Sequence, residues 1–287
     1  MHSMKKPITV LSLFDGISCG RLALDRAGIR VKSYLSSEID PRAIQVTQTN
    51  FPDTVQLGDV KDVSSKDLPK IDLILGGSPC QGFSSIGTGK GLDDPRSKLF
   101  YEFVRLLEEC RPRHFLLENV RMRKQWLDII TESIGVEPIR INSSLVSAQN
   151  RVRIYWTNIP NVTQPEDLGI TLGDVIEDPE EFRTPGSWTK YVPKSRPKYV
   201  DPYNRCEIVG EKSTSLRTNV NNGNMWVRAQ SGKYRNLTTV ECERLQTVPV
   251  GYTDSVSPAQ AKKLLGNGWT VDVISHIVQG LQCSGSA

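Results

Sequence analysis

Over the first 160 residues, short apolar runs alternate with stretches of helical periodicity. Residues 8–14 form an apolar run that predicts a buried strand. Residues 21–27 have helical spacing and stop at Gly28, a residue suited to ending a helix. A second strand is predicted at 31–36, and a helix at 41–49 with Pro41 in its first turn. Apolar strands follow at 72–75 and 114–117, helices at 97–110 and 125–134, and a later strand at 152–157. Repeated strand–helix units predict an α/β fold with a doubly wound, mostly parallel sheet, whose ligand lies at the carboxyl ends of the strands. The pattern breaks at 160–234, where Pro, Asn, Ser, Thr and charged residues dominate and short strands at most are expected. Helical spacing returns at 239–245, 258–265 and 271–281. The expected division is therefore one large domain, 1–159 with 235–287, and a small loop-rich one, 160–234.

Composition narrows the class. Of 287 residues 38% are hydrophobic and 24% charged, a globular balance. No apolar run approaches the roughly 18 residues of a membrane span, and the N-terminus lacks the pattern of a secretion signal. Met4 is the expected natural start. The six cysteines (Cys19, Cys80, Cys110, Cys206, Cys242, Cys283) are scattered without metal or disulfide spacing, and the histidines are isolated. No metal site is expected, and a reducing, cytoplasmic setting is. The net charge of +4 hides an asymmetry. Every charge in 164–182 is acidic, whereas 183–235 holds eleven basic residues against three acids. That excess of eight is either a phosphate-binding footprint or a solvated basic face.

Three loops carry candidate chemistry. Phe14-Asp15-Gly16-Ile17-Ser18-Cys19-Gly20 joins a strand to a helix, where glycine lets backbone approach a ligand and the helix N-terminus favours negative charge. About twenty residues on, Glu38 ends the next strand, a usual place for an acid that holds ribose hydroxyls. Gly58-Asp59-Val60 is the third. Taken singly, each is equally an ordinary turn; together they point to a nucleoside cofactor across strand ends. Gly76-Gly77-Ser78-Pro79-Cys80-Gln81-Gly82-Phe83-Ser84 is more specific. A packing cysteine would sit inside the strand, whereas Cys80 follows it on a proline-led turn, where a nucleophile is presented. The next strand ends in Glu118-Asn119-Val120, and downstream lies Gln149-Asn150-Arg151-Val152-Arg153-Ile154-Tyr155, whose arginines would share a face on a strand.

With Arg235-Asn236-Leu237-Thr238, Glu241-Cys242-Glu243-Arg244-Leu245-Gln246 and Gly266-Asn267-Gly268-Trp269, these motifs in this order resemble the DNA (cytosine-5)-methyltransferases. The likeness covers nearly the whole chain except about 160–234, the place of the family's variable target-recognition region. FDGI, GGSP and the closing Gly-x-x-Trp resemble the eukaryotic de novo branch; the compact recognition region resembles bacterial and phage enzymes. The sequence departs from the common F-A-G-x-G-G pattern at Asp15 and Cys19, has Gly268-Trp269 where Ser-Val is common, and has Thr239 where Pro is usual.

The resemblance implies a Rossmann-like S-adenosylmethionine-dependent methyltransferase fold, double-stranded DNA as substrate, S-adenosylhomocysteine as product, and a bacterial or phage-infected cytoplasm with a restriction-modification setting. It implies that Cys80 attacks C6 of a flipped cytosine as a thiolate, that Glu118 bonds N3 and the amino group, and that Arg153 reaches O2. Arg151 would reach the neighbouring phosphate or the catalytic loop, with Asn119 and Gln149 orienting these groups. Cofactor contacts would come from Phe14 on the adenine side, from Asp15, Gly16, Ile17 and Cys19 at the methionine end, and from Glu38 at the ribose. Ile39 would stack on adenine, Asp59 and Val60 would read its edge, and Pro79, Leu99, Asn267 and Trp269 would close the pocket. DNA contacts are implied at Ser84, Ile86, Arg217 and Arg235. Ile86 is either a wedge in the vacated base stack or packing for an open loop, and Arg217 reads guanine or touches phosphate. The remaining cysteines are expected to pack. Two other readings stand beside this one. In the family's tRNA-acting branch a Cys-Phe-Thr tripeptide is characteristic and is absent here. A non-enzymatic homologue would typically have lost nucleophile or cofactor residues; here Cys80, Glu118, Arg151 and Arg153 remain.

Overall fold

Parallel strand pairing organises the first half of the chain, because alternating buried strands and amphipathic helices can cover both faces of one sheet. A computed structural model describes residues 6–78, 99–177, 195, 198–218 and 225–283. The strands β1 (Ile8–Leu13), β2 (Val31–Ser37), β3 (Val55–Gln56), β4 (Leu73–Gly76), β5 (His114–Val120), β6 (Ile139–Asn142) and β8 (Val152–Thr157) form a seven-stranded sheet in the order β3-β2-β1-β4-β5-β8-β6. β7 (Gln149–Asn150) lies in another sheet. The pairs β1–β2, β1–β4, β2–β3 and β4–β5 are parallel; β5–β8 is antiparallel, with Glu118 opposite Tyr155 and Val120 opposite Arg153. This is the doubly wound, mostly parallel sheet expected of a Rossmann-like methyltransferase.

The predicted helices form at or near the predicted places: α1 (Cys19–Arg26), α2 (Pro41–Asn50), α3 (Leu99–Cys110) and α4 (Lys124–Ile134). Asp40 caps α2 by accepting from the Arg42 amide, and Pro41 supplies the first-turn φ. Phe100, Phe103 and Leu106 of α3 are buried against Leu11, Leu13, Ile74, Leu117 and Trp156. A Cβ on Gly76 would meet the Phe103 ring at 2.7 Å, so glycine lets α3 lie close on β4.

The chain divides into two compact units, Met1–Ile141 with Val152–Gln164 and Val271–Ala287, and Asn142–Arg151 with Pro165–Thr270. The compact units and the expected functional regions are thus different partitions, since 142–151 and 235–270 pack with the second unit. That unit holds an antiparallel four-stranded sheet in the order β10 (Cys206–Glu207), β9 (Tyr199–Asp201), β12 (Trp226–Arg228), β13 (Tyr234–Asn236), and a parallel pair of β7 with β11 (Ser213–Thr214). Its helices are α5 (Leu172–Val175), α6 (Thr239–Leu245) and α7 (Pro258–Asn267). The chain returns to the first unit as α8 (Val271–Val278) and α9 (Gly280–Cys283). Among the described residues no helix is long and apolar enough to cross a membrane, and no cluster of His, Cys, Asp and Glu could hold a metal.

Candidate active site

Parallel pairing brings the carboxyl ends of β1, β2, β3, β4 and β5 to one edge of the first unit's sheet, together with the start of antiparallel β8. Most of the chemistry expected from sequence lies along this edge. After β1 the chain turns sharply: Phe14, Gly16 and Ser18 all have left-handed backbone (φ 56°, 61° and 55°). Left-handed φ costs energy in non-glycine residues and persists where surroundings over-determine it. Asp15 supplies that determination. Its Oδ1 accepts from the hydroxyls of Ser12 (2.5 Å) and Tyr34 (2.7 Å), and its Oδ2 from those of Ser18 and Ser36 (3.0 Å to the latter). Burial pushes the Asp15 carboxyl above its usual value, and the four hydroxyls pull it back without cancelling the shift. The carboxylate thus ties the loop to β1 and β2, with its oxygens turned onto protein donors. Ile17 and Cys19 are buried, so their backbone rather than their side chains borders the edge.

Glu38 ends β2. Its Oε2 accepts from the Gly16 amide (2.8 Å), and its Oε1 from the amides of Ile39 and Asp40 (both 2.8 Å). Beside it Ile39 is 70% exposed, unusual for a large apolar side chain. Asp59 caps the one-turn helix Val60–Asp62 by accepting from the Lys61 amide (3.1 Å), while Val60 is buried. Sequence reading missed how this loop is fastened. Arg105, one and a half turns into α3, donates to the carbonyls of Val60 (3.2 Å) and Val63 (3.1 Å) and is itself held by Glu102 and Glu109. The visible signal was the Glu102-x-x-Arg105-x-x-x-Glu109 spacing on one helix face. Leu99 begins the same helix and packs at the core margin.

At the end of β5, Glu118 is almost buried, and its Oε1 lies 2.9 Å from Nε of Arg153. Asn119 is buried and its amide donates to the Ser78 hydroxyl (3.1 Å) and carbonyl (3.4 Å). Ser78 stands two residues before Cys80 in the chain. Cys80, Pro79, Ser84 and Ile86 lie outside the described residues.

The second unit corrects several expectations. Arg151 and Arg153 do not share a strand face, because strand geometry is interrupted at Arg151. Arg151 is buried and donates to Ser215 Oγ (3.1 Å) and to the carbonyls of Leu216 (2.9 Å), Gly266 (3.1 Å) and Gly268 (2.8 Å). These bonds make it a clamp within the second unit. Gln149 works beside it, accepting from the Leu216 amide (2.7 Å) and donating to the Leu245 carbonyl (3.0 Å) and Gln246 Oε1 (3.2 Å). Arg235, expected at DNA, is 1% exposed; it bonds both carboxylate oxygens of fully buried Glu241 (2.7 and 2.9 Å) and the Glu177 and Asn236 carbonyls. Its charge is neutralised inside the unit. Lys212 likewise caps three carbonyls. Arg217 lies beside Asp201 and the Tyr203 ring. Asn267 is exposed and Trp269 half-buried at the end of α7. Of the described cysteines, Cys19 and Cys242 are buried and Cys110 partly so, but Cys206 is exposed at a hairpin tip, against the expectation that it packs. Burial raises the Cys242 thiol to about 12, far too high for a nucleophile.

Comparison with known proteins bears on the family and the fold. The model of the family described as C-5 cytosine-specific DNA methylase matches residues 8–134 and 174–283. The chain is 29% identical over 304 residues to the type II methyltransferase M.NlaX of Neisseria lactamica, covering 97% of each. It is 29% identical over 300 residues to M1.ScrFI of Lactococcus lactis subsp. cremoris, covering 94% of this chain and 77% of that one. In fold it is similar to Spodoptera frugiperda DNMT2 (TM-score 0.72, 20% identity, 96% and 99% of the chains). It is also similar to a DNA modification methyltransferase described as putative and encoded in an E. coli prophage (0.66, 22%, 96% and 98%).

Proposed function

The chain belongs to the C-5 cytosine-specific DNA methylase family and is by that membership a DNA cytosine-5 methyltransferase; from there we propose how its residues act. The carrying observation is the pairing of nearly buried Glu118 with Arg153 at the strand edge, beside the Asn119–Ser78 contact that leads toward Cys80. Cytosine C5 is a poor nucleophile, and addition of the Cys80 thiolate at C6 makes C5 electron-rich. Glu118, carrying a proton at that moment, donates to N3 and balances the charge that develops in the ring. Arg153 holds Glu118 in place and meets O2. After methyl transfer, loss of the C5 proton releases Cys80. The reacting atom is unreachable inside a duplex, so the base turns out of the stack, with Ile86 entering the gap. Ser84 contacts DNA on the same loop. The basic excess of 183–235 supplies phosphate contacts, from fewer side chains than its charge implies. The working compartment is the cytoplasm of a bacterial or phage-infected cell.

The strand-edge residues fit a nucleoside methyl donor. A Cβ on Gly16 would meet nothing within 4 Å, so the loop has open space in front of it. Glu38 has three backbone amides on its carboxylate, leaving one acceptor position among roughly four for a ribose hydroxyl. Exposed Ile39 offers an apolar face for adenine. S-adenosylmethionine, when bound, supplies the electrophilic methyl group. Phe14, Asp59, Val60, Pro79 and Leu99 complete the adenine side.

Transfer of labelled methyl groups to duplex DNA tests the proposal, with tRNA as a parallel acceptor. Duplex DNA should be labelled, Cys80→Ala should abolish labelling, and Glu118→Gln should slow it roughly a hundredfold or more. Labelling that persists in Cys80→Ala would remove the nucleophile assignment, and labelling of tRNA in place of DNA would overturn the substrate.

A further inference from the structure

Arg217 is held at both ends. Its two terminal nitrogens lie 3.4 and 3.3 Å from the carboxylate oxygens of Asp201, and its guanidinium carbon is 4.5 Å from the centroid of the Tyr203 ring. Asp201 is fully buried and fixed in turn by the amides of Tyr203 (2.9 Å) and Asn204 (3.1 Å) and by the Asn204 side chain (2.8 Å). The main chain just ahead is clamped by Gln149 and Arg151 through Leu216. A Cβ on Gly266 would lie 2.5 Å from the Arg217 carbonyl oxygen, so α7 also braces this segment. All these residues belong to the second unit.

Pairing with Arg217 helps offset the burial of Asp201, but that does not account for fixing the arginine itself. Fixing an arginine removes rotamer freedom that a part-exposed ion pair returns only in part. It is well suited to recognition, where ordering a side chain before binding strengthens and sharpens the contact. Tyr203 is 48% exposed on the hairpin whose tip carries Arg205 and Cys206, so the arginine and its aromatic support stand at a surface. With the two terminal nitrogens turned end-on to Asp201, the parallel donor pair that matches O6 and N7 of guanine is the side edge, Nε–H with the outer N–H of Nη2. The Tyr203 face fixes the guanidinium plane and the Asp201 carboxylate fixes its rotation.

We propose that Asp201 and Tyr203 are positioning residues that set target-sequence selectivity by holding Arg217 in the orientation that reads a guanine. This rests on the reading of the chain as an enzyme acting on duplex DNA, and its test needs no methyl transfer. A pool of duplexes with randomised positions is bound by the full chain, and the retained fraction is sequenced. The wild type should enrich guanine at one position. Arg217→Lys should lose that preference by roughly tenfold to a hundredfold, because an ammonium cannot make the paired contact. Asp201→Asn and Tyr203→Ala should each lower it several-fold, while Tyr203→Phe, which keeps the ring, should restore it. Unchanged guanine preference in Arg217→Lys, unchanged preference in both Asp201→Asn and Tyr203→Ala, or a wild type that enriches no base would each overturn the proposal. A wild type that selects guanine yet transfers no methyl group would speak against the proposed reaction and leave this assignment standing.

Discussion

The strand edge of the first unit and the basic segment of the second handle charge in opposite ways. At the strand edge, Glu38 and Glu118 are oriented by backbone amides and by one arginine. In the basic segment, Arg235 and Lys212 turn inward onto carboxylate and carbonyl oxygens, and neighbouring Arg151 does the same. Positive charge in the second unit therefore builds structure as much as it offers a surface. A count of basic residues overstates the footprint available to a polyanion, and position in the hydrogen-bond pattern decides which charges face outward.

The sharpest way to break this contrast is Arg235→Met. It leaves Glu241 buried without its counter-charge, and the chain should lose about 3–5 kcal/mol of stability in denaturant titration. Unchanged stability with weakened DNA binding would make Arg235 a surface contact instead. Gly266→Ala comes next. Its Cβ cannot fit against the Arg217 carbonyl, and overpacking should cost about 1–3 kcal/mol, read as a lowered midpoint. On the strand-edge side, Glu38→Gln keeps the shape but removes the charge that three amides point at. Calorimetry should show S-adenosylmethionine binding weakened roughly tenfold or more, with little change in unfolding midpoint.

The smallest effect is in pH. The Asp15 carboxyl is pushed up in the folded chain, so its contribution to stability is fully present below the usual carboxylate pKa and is lost as pH rises through the raised value. The stability difference between the wild type and Asp15→Asn should shrink over that interval. Asp201 works the other way. Burial would raise its carboxyl, but the Asn204 amide and Arg217 outweigh burial and hold it below the usual range. Its contribution is present above the usual pKa and lost as pH falls through the lowered one. Removing Asp201 should therefore flatten the acid side of the stability profile.

Much of this was legible in sequence because strand and helix periodicity and the strand-end motifs are local. The α2 helix begins at Pro41, and the GGSP strand ends at Gly76, as expected. β3, β6 and the four-stranded sheet were harder to read, since two- to four-residue strands have too few positions to show a period. The Asp15 network left only a faint trace, Ser12, Tyr34 and Ser36 as buried polar positions on two strands. The fates of Arg151 and Arg217 depend on side-chain hydrogen-bond partners from 16 to 117 residues away in the chain, and no local pattern contains them.

Bisulfite sequencing of DNA from cells expressing the wild type or Cys80→Ala tests the central claim most directly. The account predicts methylated cytosines in one recurring context with the wild type and none with the variant. Unmethylated DNA with the wild type, or equal methylation with both, would contradict it.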